Sequence, residues 1–272
     1  MSGFFFSGGS SQPGNPDYTA ERDSFTSAGA GTGVTSGSAN TKGSATTIGT
    51  AAVDWCGFYL YVGAASSTTV RFLADIKVNG TTKIPNLFLH PSNNALSRIK
   101  IPLKVPASQN VDIAIQGSST TLTLPFAIRG IPASASLAPG FDNCAAIHGS
   151  ADTANTLATS SNITMQTTVT TWTELDSAAD QTFGAILMAV GRGSSDPTTA
   201  QDFSAILATG ASSSEVEFDR FLVHANGSTA AIPRAHELFE RSIASGTRVS
   251  CALLAGTAGA TDYARVQAFG FY

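Results

Sequence analysis

The chain has 272 residues, of which 42% are hydrophobic and only 12% are charged, and its net charge is −4. A weakly acidic chain lacks the positive surface that binds nucleic acid or an anionic membrane, so we expect neither as a partner. No apolar run in the sequence approaches the ~20 residues that a membrane helix needs. The length and the hydrophobic content suit one large domain or two ordinary ones with real cores.

Residues 1–46 have little hydrophobic periodicity and are rich in Gly, Ser and Pro. This composition cannot close a core, so we predict an extended N-terminal arm over this range, ordered only against a partner. Three adjacent phenylalanines, Phe4, Phe5 and Phe6, are the candidate anchor of the arm, because a purely solvated tail would not favour them. A disordered terminus is the alternative interpretation.

Two further features bear on the compartment in which the chain is made. The first residues have no basic segment and too short an apolar run for a secretory signal peptide. The three cysteines, Cys56, Cys144 and Cys251, form no Cys-x-x-Cys motif, and two of them lie inside apolar strand patterns. We therefore expect reduced cysteines and synthesis in a cytosol.

The clearest β pattern runs from Ile99 to Gly117. Apolar residues alternate with polar ones from Ile99 to Val105 and again from Val111 to Ile115. Such alternation is typical of strands with one buried face, and the intervening segment 106–110 has turn chemistry. The sequence therefore predicts a β-hairpin here, within a first domain that covers residues 47–132.

Six segments of this first domain have similar counterparts, in the same order, further along the chain. The matched segments are 56–63 with 183–191, 72–80 with 203–210, 87–90 with 221–224, 101–105 with 239–243, 111–115 with 249–253, and 126–131 with 266–271. The offset grows along the chain, as insertions in loops would produce. We predict an all-β protein of two tandem, jelly-roll-like antiparallel β-sandwiches from an internal duplication. A linker would span residues 133–162, and the second sandwich 163–272.

Catalytic signatures are nearly absent from the sequence. It has no nucleophile elbow, no zinc-protease motif, no P-loop and no Rossmann glycine pattern. His90 and His224 occupy the same repeat position without partners at ligand spacing, so strand-end residues are expected rather than metal ligands. Glu215, Glu217 and Asp219 would share one strand face, and a solvated surface is expected there rather than a calcium site. We predict no enzyme activity, no catalytic residue, no metal and no cofactor.

The aromatic residues Trp55, Tyr59, Tyr61 and Trp172 are the candidate binding residues. The first three alternate along one strand and would form one face of it, opposite Cys56, Phe58, Leu60 and Val62. Aromatic rings suit either sugar stacking or a protein interface. The second repeat places Leu187 where the first has Tyr59, which a duplicated sugar site would be less free to do. We therefore expect these rings to be covered by protein.

The repeated order of segments resembles jelly-roll-like accessory proteins of tailed-bacteriophage virions. The pattern that carries the resemblance is (I/F)xxx(V/I)xxGxxV, which runs from Ile101 to Val111 and from Phe239 to Val249; the first repeat departs from it with Ser108. The resemblance implies a structural component of the tail, neck, fibre or head decoration that forms homo-oligomers. It would be made in the bacterial host cytoplasm and held to other virion proteins by the arm. The alternative is a carbohydrate-binding module for host-surface glycans.

Overall fold

The computed structural model describes residues 31–63, 71–89, 97–118, 121–135, 140–149, 162–192, 201–225, 236–257 and 262–272. Over these ranges the protein is all-β: the described elements are strands apart from one short 3-10 helix. The expectation of an all-β fold is therefore confirmed.

Eight strands lie in the first half of the chain. They are β1 Thr32–Thr35, β2 Thr46–Thr50, β3 Trp55–Val62, β4 Phe72–Val78, β5 Thr81–Leu89, β6 Ser97–Ile101, β7 Asn110–Gly117 and β8 Thr123–Pro132. The 3-10 helix Ala133–Ala135 follows. The later strands are β9 Cys144–His148, β10 Asn162–Gln166, β11 Thr173–Asp176, β12 Ala185–Arg192, β13 Gln201–Thr209, β14 Val216–Ala225, β15 His236–Phe239, β16 Val249–Ala255 and β17 Tyr263–Phe271.

The turn between β4 and β5 illustrates how local sequence sets these strands. Asn79 and Gly80 both have positive φ, 48° and 76°. Two adjacent residues with positive φ form the turn whose twist matches a two-residue hairpin, and Asn-Gly is the dipeptide that favours it. Val78 accordingly pairs with Thr81 directly across the turn.

The strands of the first half form two four-stranded sheets, in the orders β1-β8-β3-β6 and β2-β7-β4-β5. The predicted β-hairpin from Ile99 to Gly117 is therefore wrong: β6 pairs with β3 in one sheet, whereas β7 pairs with β2 and β4 in the other. The second half forms one large sheet in the order β14-β13-β16-β10-β17-β12-β15, with β11 added on β16 and β9 added on β17. Strand β10 connects its two parts, since it runs antiparallel to β17 and then parallel to β16. This connection joins β14, β13 and β16 to β17, β12 and β15 in one continuous sheet.

Six antiparallel pairings of the first half have counterparts in the second. The pairs β1–β8, β2–β7, β3–β6, β3–β8, β4–β5 and β4–β7 correspond to β10–β17, β11–β16, β12–β15, β12–β17, β13–β14 and β13–β16. The registers also correspond. Phe58 lies opposite Ile101 as Ile186 lies opposite Phe239, and Ile113 and Cys251 hold matching places on β7 and β16.

The two halves of the chain share part of their hydrophobic core. One cluster of buried residues belongs to the second half alone. The other is centred on the first half but includes buried residues of β12 and β17, namely Ala185, Leu187, Ala189, Phe269 and Phe271. Burying a large apolar side chain contributes roughly 1.5–3 kcal/mol. The leucine and the two phenylalanines alone therefore bind the halves together strongly.

The structure differs from the predicted arm and linker at two places. Strand β1 and the start of β2 fall inside the range 1–46, where Val34 is fully buried and β1 extends the sheet beside β8. Strand β9 falls inside the predicted linker 133–162 and pairs with β17. Both strands are short and poor in large apolar residues. They are held by a neighbouring strand rather than by a pattern of their own.

Candidate interaction surfaces

Trp55 is separated from the two tyrosines of β3 by a β-bulge. The pairing of β3 with β8 is irregular between Trp55 and Gly57, which leaves Cys56 as an extra residue. An extra residue interrupts the alternation of side chains along a strand. The indole therefore joins the core, where Trp55 is 4% exposed and its ring centroid lies 6.5 Å from that of Phe58. The prediction that Trp55 shares a face with the tyrosines is wrong.

Gly130 on β8 provides the space for this indole. A Cβ atom at Gly130 would lie 2.1 Å from Cε2 of Trp55, far inside contact distance. The indole Nε1 is buried and has no hydrogen-bond partner in the described part of the structure. Trp55 therefore serves packing, and a sugar ring cannot stack on it.

Tyr59 and Tyr61 remain on the outer face of β3, where both are half-buried. Arg98, on the neighbouring strand β6, places its guanidinium carbon 5.0 Å from the centroid of the Tyr59 ring, a cation–π distance. Arg129 lies opposite Tyr59 on β8 and is exposed. We call Tyr59, Tyr61, Arg98 and Arg129 the tyrosine face. Tyrosine and arginine are both enriched in protein interfaces.

The remaining candidate residues do not join the tyrosine face. Trp172 is half-buried and precedes β11, which belongs to the large sheet of the second half. The candidate anchor residues Phe4, Phe5 and Phe6 lie outside the described residues. The structure therefore brings together only the two tyrosines of the original aromatic set.

A set of buried polar residues joins the two halves, and sequence reasoning missed it. Gln267 of β17 accepts a hydrogen bond from the Phe88 backbone N–H at 2.6 Å and donates to the carbonyl oxygen of Asn86 at 2.9 Å. His236 of β15 has Nε2 2.7 Å from the Phe88 carbonyl oxygen. These side chains form hydrogen bonds with backbone groups at the edge of β5, which would otherwise be buried without partners. We call Asn86, Phe88, His236, Arg265 and Gln267 the seam.

The seam also shifts the acid–base behaviour of its members. Burial lowers the pKa of His236 to about 4, against the smaller opposing effect of its hydrogen bond to Phe88. A carbonyl oxygen can only accept, so Nε2 of His236 carries a hydrogen, and the lowered pKa keeps the ring neutral at neutral pH. Burial, together with the nearby charge of Arg71, lowers the pKa of Arg265 to about 9. The Arg265 guanidinium carbon lies 5.9 Å from the centroid of the Phe88 ring.

Arg248 organises the ionic contacts at one end of the second half. Its Nε donates to Glu174 at 2.8 Å and its Nη1 donates to Glu215 at 2.8 Å. Nη1 also lies 3.3 Å from the carbonyl oxygen of Gly210. The Arg248 side chain is largely buried, as is that of Glu215. These contacts connect β11, β16 and the turn before β14.

The three carboxylates Glu215, Glu217 and Asp219 do not form a shared site. Each has its own arginine partner, at 2.8, 2.5 and 3.7 Å respectively: Arg248, Arg220 and Arg241. Among the described residues, no three of His, Cys, Asp and Glu are grouped so that they could hold a metal ion. His224 contacts Asp202 at 2.6 Å on the protein surface, whereas His90 lies outside the described residues.

The cysteines have no visible reactive role. Cys56, Cys144 and Cys251 are all free. Burial raises the pKa of both Cys144 and Cys251 well above the usual thiol value, so neither forms the reactive thiolate at neutral pH. Cys56 is half-buried, and its Sγ lies 3.4 Å from the carbonyl oxygen of Ile131.

Comparisons with protein-family models, with curated proteins and with solved structures found no match to this chain. In the described part of the chain, no helix is long and apolar enough to cross a membrane. Function is therefore inferred from the residues of the chain itself.

Proposed function

We propose that the chain is a structural virion protein of a tailed bacteriophage that assembles as a homo-oligomer. In this proposal it consists of two tandem, jelly-roll-like β-sandwiches that arose by internal duplication. The six recurring strand pairings and their matching registers support the duplication. The N-terminal segment, with Phe4, Phe5 and Phe6, attaches the subunit to other virion proteins.

One observation carries the structural role: the two halves form a single body through a shared core, while two extended surfaces stay open. Phe269 and Leu187 of the second half lie in the core of the first. In the tyrosine face Arg98 and Arg129 are exposed and the two tyrosines are half-buried, and Leu222 on the edge strand β14 is exposed. A rigid β body with open surfaces suits a building block of a larger assembly.

The use of the polar residues supports the same role. Gln267 and His236 satisfy backbone groups of the other half, and Arg248 joins strands through Glu174 and Glu215. These residues stabilise the fold and are not arranged around a pocket with a nucleophile or a general base. We infer no enzymatic reaction from them.

The experiment that tests the virion role begins with particles purified from the phage that encodes this chain. We expect mass spectrometry to detect the chain as a stoichiometric component, and labelled antibodies to locate it at one position on the particle. A chain that lacks residues 1–30 should fold but fail to join the particle. Absence of the full chain from purified particles would refute the virion role, and normal incorporation of the shortened chain would refute the anchor.

Carbohydrate binding remains the second candidate function, with a smaller site than the sequence indicated. Burial of Trp55 leaves Tyr59 and Tyr61 as the partly open rings. Binding on a glycan array that is lost in Tyr59→Ala, and retained in the matched variant Tyr263→Ala on β17, would favour this function over the structural one.

A further inference from the structure

The contact between the two halves is asymmetric. The first half contributes the edge of β5, with Asn86 and Phe88. The second half contributes the outer side of β12, β15 and β17, with His236 and Gln267. We propose that a second copy of the chain binds in the same manner, with the β14 edge of one copy against the tyrosine face of the next. This inference deepens the proposed function and rests on the self-association that it includes.

Strand β14 holds the place in the second half that β5 holds in the first. Leu73 pairs with Phe88 on β5, and its counterpart Ser204 pairs with Leu222 on β14. Phe88 is 1% exposed because the second half covers it, whereas Leu222 is 63% exposed. The position that Phe88 and Leu222 share is therefore buried in the first half and exposed to solvent in the second. Among the described strands, β14 pairs only with β13, and no described strand lies along its other edge.

The tyrosine face holds the place in the first half that the covering surface holds in the second. The two surfaces correspond position by position because β3 pairs with β6 and β8 as β12 pairs with β15 and β17. Tyr59, Tyr61, Arg98 and Arg129 stand where the second half has Leu187, Ala189, His236 and Phe269. The first set is open to solvent at least in part, and the second set is buried.

The chemistry of the two open surfaces is complementary. His236 donates to the carbonyl oxygen of Phe88, and Arg98, in the corresponding position, has only donors to offer to the carbonyl oxygen of Leu222. The tyrosine face carries the cations Arg98 and Arg129, whereas Glu217 and Asp219 of β14 are already paired with Arg220 and Arg241. The match between the two surfaces therefore rests on hydrogen bonding and on the exposed Leu222. Tyr59 and Arg129 stand where the second half has Leu187 and Phe269. Their polar groups allow the tyrosine face to contact water until a partner covers it.

Because the edge and the face are two different surfaces of the chain, a single contact between two copies is head-to-tail. Each copy has one β14 edge and one tyrosine face. A copy whose tyrosine face is bound still has an unbound β14 edge. Contacts of this kind close into rings or continue as filaments, unlike the self-complementary contact of a two-fold dimer. Around a ring of such chains, the contact between the two halves of one copy would alternate with the contact between neighbouring copies.

The test uses the full chain and two variants that each remove one surface. Leu222→Lys places a charge at the exposed β14 edge, and Arg129→Glu reverses a charge of the tyrosine face. We expect the wild type to form oligomers in size-exclusion chromatography with light scattering. Each variant alone should be monomeric, with assembly weakened at least about tenfold. Val53→Lys, at an exposed apolar residue outside both surfaces, is the matched control and should assemble normally.

An equimolar mixture of the two variants distinguishes this arrangement from all others. The intact edge of Arg129→Glu can bind the intact face of Leu222→Lys, so we expect one-to-one dimers that grow no further. Circular dichroism checks that each variant is folded. A monomeric wild type at all concentrations, or Leu222→Lys oligomers like those of the wild type, would overturn the inference. Neither result touches the presence of the chain in purified particles, so the virion role fails or stands separately.

Discussion

At the scale of single residues, the neutral histidine of the seam makes stability depend on pH. The pKa of His236 is about 4 in the folded protein and near 6.5 in an unfolded chain. Between these values the unfolded state binds a proton that the folded state does not. The stability that His236 provides is therefore complete above pH 6.5 and is lost as pH falls towards 4.

We expect this loss to amount to about 3 kcal/mol of unfolding free energy. Urea unfolding at a series of pH values between 7 and 4 measures it directly. His236→Gln keeps a donor near the Phe88 carbonyl oxygen but cannot titrate, so its stability should change less over this range. His224→Gln, at an exposed histidine outside the seam, is the control for the removal of an imidazole. Parallel pH profiles for His236→Gln and the wild type would contradict the assignment.

Gly130 gives a second prediction at this scale. Gly130→Ala would place a methyl group 2.1 Å from the Trp55 ring. Because the indole is enclosed by core, we expect a loss of roughly 1–3 kcal/mol. Gly256→Ala is the matched control, since a Cβ atom there meets nothing within 4 Å. Thermal unfolding of the two variants compares them, and equal midpoints would show that the indole moves aside freely.

The residues also show how far a sequence reveals a site. Alternation along β3 was enough to place Tyr59 and Tyr61 together. Trp55 could not be placed, because the bulge at Cys56 depends on how β8 pairs with β3. The seam was missed because its partners are distant in sequence, with Phe88 and Gln267 meeting only after both halves have formed. The one local signal was a glutamine between Val266 and Ala268, inside an apolar strand.

At the scale of elements, β1 decides where the N-terminal segment can be cut. Val34 is fully buried, and the segment after β1 contributes Lys42, which forms an ion pair with Asp75 of β4. Deleting residues 1–30 should leave the unfolding midpoint unchanged. Deleting residues 1–46 removes β1 and exposes the edge of β8, so we expect a much lower midpoint. Thermal unfolding of both deletions separates them, and equal stability would show that β1 is dispensable.

The element pattern was the part of the fold most accessible from sequence. The alternating segments after Ile99 and around Val111 are strands β6 and β7, but the two strands belong to different sheets, because alternation along a strand does not specify its partner. Asn79-Gly80 is a hairpin turn. The short segment from His236 to Phe239 is strand β15. Four residues carry too weak a pattern to identify a strand from sequence, and pairing with β12 decides the outcome.

At the scale of the whole molecule, the shared core predicts that damage in one half loosens the other. Phe269 belongs to the second half in sequence but to the core of the first. Phe269→Ala should cost about 3–5 kcal/mol. The backbone amides of β5 and β6 should then lose protection in hydrogen exchange.

Phe203→Ala is the matched control for this experiment. Phe203 is as deeply buried, but it lies in the cluster of the second half alone. We expect its loss of protection to centre on β13 and β16. If the two variants lose protection in the same strands, the halves do not have distinct cores.

Strand β17 also sets an order of events during synthesis. It supplies Phe269 and Phe271 to a cluster whose other members mostly precede residue 132. At 5–20 residues per second, the ribosome reaches β17 roughly 7–30 seconds after β8. Until then the edge of β5 has no hydrogen-bond partners from the second half, and part of the core of the first half is exposed to solvent. A nascent chain in that state is a substrate for chaperones, and an arrested one is a source of aggregates.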